Sequence, residues 1–178
     1  MPLPINVIFL ISLAIGVNLA MMAATVVQLI TGKSGLIDII WTFAVGAGGI
    51  AASLLPAEGA NDMRRIAVGI LVAIWALRLG LHIATRTHQG EDDPRYAAIK
   101  RDHPKDWPLY LFWMLQAQAI AAFILVMAVR FAAINPAPFP GLTDLIGIII
   151  LLIAFSGEAL ADAQVLPGVL HRDGDLGP

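Results

Sequence analysis

The chain has 178 residues, of which 58% are hydrophobic and 13% are charged, and its formal net charge is −2. A soluble domain carries about 25% charged and about 45–50% apolar residues, so this composition excludes an ordinary soluble domain and indicates an integral membrane protein. No basic block points to nucleic acid, and the absence of cysteine excludes disulfides, thiolate chemistry and Cys-ligated metal.

Five apolar segments are long enough to cross about 30 Å of hydrocarbon. They predict helices over residues 5–30, 36–55, 66–85, 109–131 and 142–166. We therefore predict an all-α fold, a polytopic transmembrane helix bundle that forms one domain over residues 1–166. Pro167 is expected to end the fifth helix, because proline lacks a backbone N–H, and residues 167–178 are expected to form a short irregular tail.

Small residues recur at every fourth position on the first two segments. Gly16, Ala20 and Ala24 form one row on the first segment, and the second segment has a corresponding row of Ala44, Gly48 and Ala52. Such rows let helices approach closely in lipid. The general abundance of alanine and glycine in this chain explains them equally well.

Lysine and arginine are distributed unequally between the predicted loops. With the N-terminus outside, seven of these residues lie on the inner side and three on the outer side. The seven are Lys33, Arg86, Arg95, Lys100, Arg101, Lys105 and Arg172, and the three are Arg64, Arg65 and Arg130. Most of the seven lie in one charged loop, Arg86–Lys105. Because cytoplasmic loops carry an excess of Lys and Arg, we predict the N-terminus outside and the C-terminus in the cytoplasm.

Ionisable residues lie inside three of the predicted spans. Asp38 is on the second, Arg78 and His82 are on the third, and Glu158 and Asp162 are on the fifth. A central Asp or Arg costs about 2.5–3.5 kcal/mol on insertion scales, so such residues usually face a partner or a cavity. The residues of each pair are four apart and therefore share one helix face.

Depth along the helices predicts which of these residues meet. In the five-span topology Arg78 is level with Glu158, at about 20 Å from the outer face. By the same reasoning His82 is level with Asp162, and Asp38 lies at a similar inner level. Three interpretations remain open: buried salt bridges that hold the helices in register, a polar pocket for a ligand or cofactor, and a proton or ion pathway. No metal site is predicted, because the remaining histidines show no ligand spacing.

Several blocks of the sequence resemble the signature of one family of membrane proteins. They are Asp38-Ile-Ile-Trp41, Trp75-Ala-Leu-Arg78-Leu, Arg86 with Gly90-Glu91-Asp92 and Arg95-Tyr96, and Gly157-Glu158 with Ala161-Asp162. The chain is similar, over Ile30 to Gln164, to a bacterial domain-of-unknown-function family that is related to the steroid 5-alpha-reductases.

This resemblance implies a helix bundle in the bacterial inner membrane that binds NADPH from the cytoplasmic side. It also implies hydride transfer to a carbon–carbon double bond conjugated with a carbonyl, in an apolar lipid or steroid-like compound. In the reductases an acidic residue and a tyrosine polarise the carbonyl oxygen. The catalytic residues are left unassigned here, because neither Tyr96 nor Tyr110 aligns securely with that tyrosine.

The resemblance also suggests which residues contact the cofactor. Relatives use two polar residues four apart on the fifth helix, and Glu158 and Asp162 match that spacing, so these are the predicted cofactor-binding residues. The candidates for the surrounding polar pocket are Asp38, Arg78, His82 and Arg86.

The sequence departs from the family pattern after Asp162. Relatives continue with a basic stretch, a motif like Arg-His-Pro-Asn-Tyr and further helices, whereas this chain reads VLPGVLHRDGDLGP. The expectation is therefore the N-terminal part of a reductase, truncated before its C-terminal cofactor-binding region. The alternative is a non-catalytic membrane remnant or subunit whose polar residues serve only helix pairing.

Overall fold

The computed structural model describes the backbone of residues 5–88 and 93–174, and their side chains except at positions 5, 94, 158, 159 and 161–174. These residues form six helices and no strand. The helices are α1 Ile5–Thr31, α2 Gly35–Leu54, α3 Asp62–His88, α4 Pro94–Asp102, α5 Trp107–Ala133 and α6 Leu142–Gly174. The predicted all-α fold is confirmed.

Four helices of the described chain are long and apolar enough to cross a membrane. They are Asn6–Thr31, Gly35–Leu54, Asp62–His88 and Trp107–Ala133. They correspond to the first four predicted spans, and no helix end differs from the prediction by more than four residues. The fifth predicted span lies on α6, whose described apolar stretch is the shorter segment Leu142–Gly157.

The chain divides into two compact units, Met1–Pro136 and Ala137–Pro178. The first unit contains α1 to α5, and the second contains α6. The α6 backbone continues through Pro167 to Gly174, which differs from the predicted break and irregular tail. One proline removes a single backbone hydrogen bond, and a long helix tolerates that loss as a local kink. The division into one domain over residues 1–166 stays a prediction.

Helix α2 is the centre of the first unit. It packs against α1, α3 and α5, and α1 also packs along α5, whereas α3 and α5 share only a small contact. Buried apolar side chains line the faces of α1, α2 and α5 that meet, among them Leu13, Met21, Ile37, Leu115 and Val126. The outward faces are apolar as well, with exposed Ile70, Ile74 and Leu77 on α3. Apolar side chains on both faces suit a helix that is surrounded by lipid.

Glycines bring the backbones of α2 and α3 close together. A Cβ added at Gly46 would lie 2.5 Å from the Cβ of Ala76, and one added at Gly49 would lie 2.9 Å from a methyl of Val72. A Cβ added at Gly16 on α1 would meet no atom within 4 Å. Close approach therefore depends on the α2–α3 glycines, and Gly16 of the predicted α1 row makes no such contact.

Gly46→Ala is expected to destabilise the protein by about 1–3 kcal/mol, because the added methyl overlaps the Cβ of Ala76 and one helix must move. Reversible unfolding in mixed detergent micelles measures this change. Gly16→Ala is the matched control, since it adds the same methyl to open space. That variant is expected to be neutral or up to about 1 kcal/mol more stable, because alanine is the better helix former. Equal stability of the two variants would contradict the close α2–α3 contact.

The short helix α4 lies within the predicted charged loop. The Asp93 carboxylate caps it by accepting a hydrogen bond from the Arg95 backbone N–H at 2.9 Å. Pro94 follows in the first turn, where a helix needs no N–H donor. Tyr96 and Ile99 pack against the core. Helices α1 and α3 end, and helices α2 and α5 begin, at the same end of the bundle. We call this the α4 end, and we call the other end the opposite end.

Candidate functional site

Three helices each contribute one polar side chain to a cluster at the α4 end. Asp38 lies in the first turn of α2, Tyr96 on α4 and Gln118 on α5. The Tyr96 hydroxyl donates to Oδ1 of Asp38 at 3.4 Å, and Nε2 of Gln118 donates to the Tyr96 hydroxyl at 3.4 Å. We call these three residues the tyrosine cluster. It joins parts of the chain that are 58 and 22 residues apart.

A salt bridge on α4 supports this cluster. The guanidinium of Arg95 binds the buried Asp93 carboxylate through two nitrogens, with a shortest distance of 2.5 Å, and lies 3.7 Å from Oδ2 of Asp38. The hydrogen bonds from Arg95 lower the pKa of Asp93, and the charge of Arg86 adds to this effect. The Asp93 carboxylate is therefore ionised at neutral pH, and it holds Arg95 beside Asp38.

Tyr96 is almost completely removed from solvent, with 6% of its surface exposed. Burial raises the pKa of its phenol to about 12, and the nearby Asp38 charge also raises it, whereas the hydrogen bond from Gln118 acts in the opposite direction. The phenol is therefore protonated at neutral pH. A protonated phenol has one hydrogen to donate, and here it donates that hydrogen to Asp38.

Trp41 connects the two transmembrane helices of the cluster. Its indole Nε1 donates to the backbone carbonyl of Gln118 at 3.2 Å. Trp41 lies three residues after Asp38 and so shares a face of α2 with it. The same face of α2 therefore positions the carboxylate and anchors the α5 residue that contacts Tyr96.

The predicted pocket residues have different positions in the structure. Asp38 belongs to the tyrosine cluster, and Arg86 on α3 is close enough to influence the charge of Asp93. Arg78 is partly buried on α3, and His82 is exposed one turn further along the same helix. Glu158 and Asp162 lie on the α6 backbone, but their side chains lie outside the described residues. The pairing of Arg78 with Glu158 and of His82 with Asp162, and the predicted cofactor contacts, stay predictions.

Three residues of this site were not assigned from the sequence: Tyr96, Gln118 and Asp93. Gln118 carries a signal that could have found it, since Gln116 and Gln118 are the polar residues in the middle of an otherwise apolar span. Tyr96 directly follows Arg95 in a family block, but the sequence does not show that α4 folds back against α2.

At the opposite end, two almost completely buried arginines bind backbone carbonyls. Arg130 donates to the carbonyls of Ala52 at 2.9 Å, of Pro56 at 3.2 Å and of Leu55, all at the C-terminal end of α2. Arg64 donates to the carbonyl of Asn135 just beyond the end of α5. Carbonyls at a helix C-terminus lack intrahelical donors and attract cations, so these contacts explain the arginines as helix caps.

A metal centre finds no support in the described part of the chain, where no group of three or more His, Asp or Glu side chains is arranged to hold an ion.

The fold and this site define the class of the protein: a polytopic α-helical integral membrane protein with a buried tyrosine–aspartate pair near one end of its bundle. The chain belongs to the family described as "Protein of unknown function (DUF1295)", whose model matches residues 24–167. No curated protein and no solved structure gives a significant match.

Proposed function

We propose that the protein, or a longer protein of which this chain is the N-terminal part, is an NADPH-dependent reductase. Its substrate would be an apolar compound with a carbon–carbon double bond conjugated to a carbonyl. The observation that carries this proposal is the contact between the buried Tyr96 hydroxyl and Asp38 at 3.4 Å. The resemblance to steroid 5-alpha-reductases supplies the reaction class, in which an acidic residue and a tyrosine act on the carbonyl oxygen.

The chemistry of Tyr96 suits that role. When a hydride adds to the β carbon of an enone, the double-bond electrons move toward the carbonyl oxygen, which gains negative charge. A protonated phenol at that oxygen stabilises the charge by donating a hydrogen bond or its proton. The Tyr96–Asp38 distance of 3.4 Å is long for an O–H···O hydrogen bond, so a substrate carbonyl would replace the carboxylate as acceptor at little cost. Asp38 would then pass a proton from water to the Tyr96 phenolate, and the enol would isomerise to the saturated ketone.

The surroundings suit an apolar substrate. Asp38 lies in the first turn of a predicted span, so the reacting carbonyl would sit at the membrane boundary with the hydrocarbon body in the bilayer. A cavity of about 430 Å³ between α2, α3 and α5 is lined by Val45, Leu71, Val72, Trp75, Leu125 and Val129 among others. Val45 is seven residues beyond Asp38 on α2, which corresponds to about 10 Å. Ligand pockets typically measure about 300–1,000 Å³.

The cofactor would supply the hydride when it is bound. Its phosphates need cations, and the α4 end presents Lys100 and Arg101 as exposed side chains and Arg86 as a half-buried one. This donor set fits an anionic dinucleotide, because arginine and lysine are the usual phosphate ligands. Glu158 and Asp162 are the further proposed cofactor contacts. An N-terminus outside would place the α4 end, and with it the cofactor, on the cytoplasmic side.

NADPH binding by the purified chain tests this function. Nicotinamide fluorescence of NADPH, titrated with the protein in lipid nanodiscs, is expected to show saturable binding with a Kd below about 1 mM, which corresponds to about −4 kcal/mol. Circular dichroism verifies in the same sample that the helices are formed. A folded chain without saturable binding in this range would overturn the function for this polypeptide.

The second candidate is a non-catalytic membrane protein, and the opposite end favours it. Arg64 and Arg130 there cap helices, so this chain uses buried polar groups for structure. If the tyrosine cluster did the same, its residues would affect stability alone, and no saturable NADPH binding would be observed.

A further inference from the structure

The amide of Gln118 contacts the hydroxyl oxygen of Tyr96. A phenol oxygen carries one hydrogen, and the Nε2 group of Gln118 offers only hydrogens. Because Nε2 of Gln118 donates to the Tyr96 oxygen at 3.4 Å, the amide favours a phenol hydrogen that points away from it. The remaining partner of the hydroxyl is Oδ1 of Asp38 at 3.4 Å.

We propose that Gln118 is a positioning residue, which directs the Tyr96 proton toward Asp38 and stabilises the phenol oxygen when that proton leaves. The proposal rests on the proposed function only for its catalytic meaning. Under that function, a substrate carbonyl that replaces Asp38 receives a hydrogen already oriented toward it, and the amide donor remains on the oxygen as negative charge develops there.

The position of Gln118 is itself fixed by α2. The indole of Trp41 holds the Gln118 backbone carbonyl at 3.2 Å, and Asp38 lies one turn earlier on the same helix. Helix α2 thus positions both Gln118, which donates to the Tyr96 oxygen, and Asp38, which accepts its hydrogen. A rotation of α5 that moved the amide would also break the Trp41 contact.

The charged groups around Tyr96 come from three helices. Asp38 faces it from α2, and Arg95 precedes it on α4. Arg86 on α3 is close enough to act on the carboxylates of Asp38 and Asp93. Burial raises the pKa of Tyr96 to about 12, and the Gln118 hydrogen bond opposes that rise. Removal of the amide donor should therefore raise the pKa further, whereas removal of the Asp38 charge should lower it.

Phenolate absorbance gives a readout that does not depend on enzyme activity. The chain has two tyrosines, so Tyr110→Phe leaves Tyr96 as the single titrating phenol. In this background, Gln118→Met keeps the size of the side chain and removes its donor. The expected result is an upward shift of the Tyr96 pKa by about one unit, as for loss of one hydrogen bond to a charged group.

Gln116→Met is the matched control, because it makes the same change two residues away on α5. Among the described residues, Nε2 of Gln116 has no hydrogen-bond partner, so its loss is expected to leave the Tyr96 pKa unchanged. An unchanged pKa in Gln118→Met, or equal shifts in the two variants, would overturn the proposal.

Asp38→Asn provides a second, independent measurement if Gln118→Met does not fold. The proposal expects the Tyr96 pKa to fall in this variant, and an unchanged or higher value would overturn it. The outcomes are separable from those of the proposed function. If a folded chain shows the expected pKa shifts but does not bind NADPH, the reductase function is rejected and the positioning role of Gln118 is kept. If the chain binds NADPH but does not show these shifts, only the positioning role of Gln118 is rejected.

Discussion

Replacing Tyr96 by phenylalanine is expected, under the proposed reductase function, to lower the rate of enone reduction by about 100- to 10,000-fold, the usual contribution of a positioned proton donor. The variant keeps the ring that packs into the core and loses only the oxygen that contacts Asp38 and Gln118. NADPH consumption by protein in liposomes that contain a long-chain enone measures the rate.

The same change at Tyr110 is the control. Tyr110 stacks on His103 with ring centroids 4.0 Å apart and is exposed at the α4 end. Tyr110→Phe is therefore expected to keep the wild-type rate. Loss of the Tyr96 hydroxyl should cost about 1–3 kcal/mol of stability for each hydrogen bond, because one partner is a carboxylate, so circular dichroism must show that the helices of the variant are formed before the rates are compared. A Tyr96→Phe variant that reduces enone at the wild-type rate would show that the phenol is not the donor.

Arg130→Met is expected to reduce the free energy of unfolding by about 3 kcal/mol or more, because hydrogen bonds to charged groups contribute about 1.5–3 kcal/mol each. The guanidinium donates to three carbonyls at the end of α2. Methionine fills a similar volume without donors, so these carbonyls lose their partner in surroundings with little water. Reversible unfolding in mixed micelles measures the loss.

Two further variants serve as controls for the charge of Arg130 and for its buried position. Arg130→Lys keeps the charge but not the planar fork of donors, so it is expected to recover only part of the stability. Arg101→Met removes a cation from the exposed surface of α4 and is expected to change stability by no more than about 0.5 kcal/mol. If Arg130→Met were as stable as Arg101→Met, the capping role would be refuted.

The transmembrane helices could be predicted from sequence because hydrocarbon imposes one simple condition on every span. Each needs about 20 apolar residues, and α1, α2, α3 and α5 all began and ended close to the predicted positions. Helix α4 escaped prediction because it is short, charged and stabilised from outside itself. Its cap by Asp93 and the packing of Tyr96 against the core become visible only when the fold is known.

A residue of the site could be predicted from sequence when its burial in a membrane helix costs free energy by itself. Asp38 was identified because a carboxylate in an apolar helix is costly unless it has a polar partner. The structure places it in the tyrosine cluster. Tyrosine is amphipathic and common at membrane interfaces. The position of Tyr96 beside Arg95 therefore did not indicate that its side chain is buried. Helical spacing and depth place residues on one helix at one level, but they do not identify the neighbouring helix. This is why Gln118 on α5 was missed.

Helix α5 also has a consequence for the order in which the protein matures. It supplies Arg130 to the last carbonyls of α2 and Gln118 to the tyrosine cluster near the first turn of α2, and these contacts cross 78 and 22 residues of chain. Because synthesis proceeds from the N-terminus, α2 and α3 can enter the membrane and pair through their glycines well before α5 emerges from the ribosome. Until then, the carbonyls at the end of α2 lack the Arg130 donor and the Trp41 indole lacks the Gln118 carbonyl, so α5 is expected to complete the packing of the first unit last.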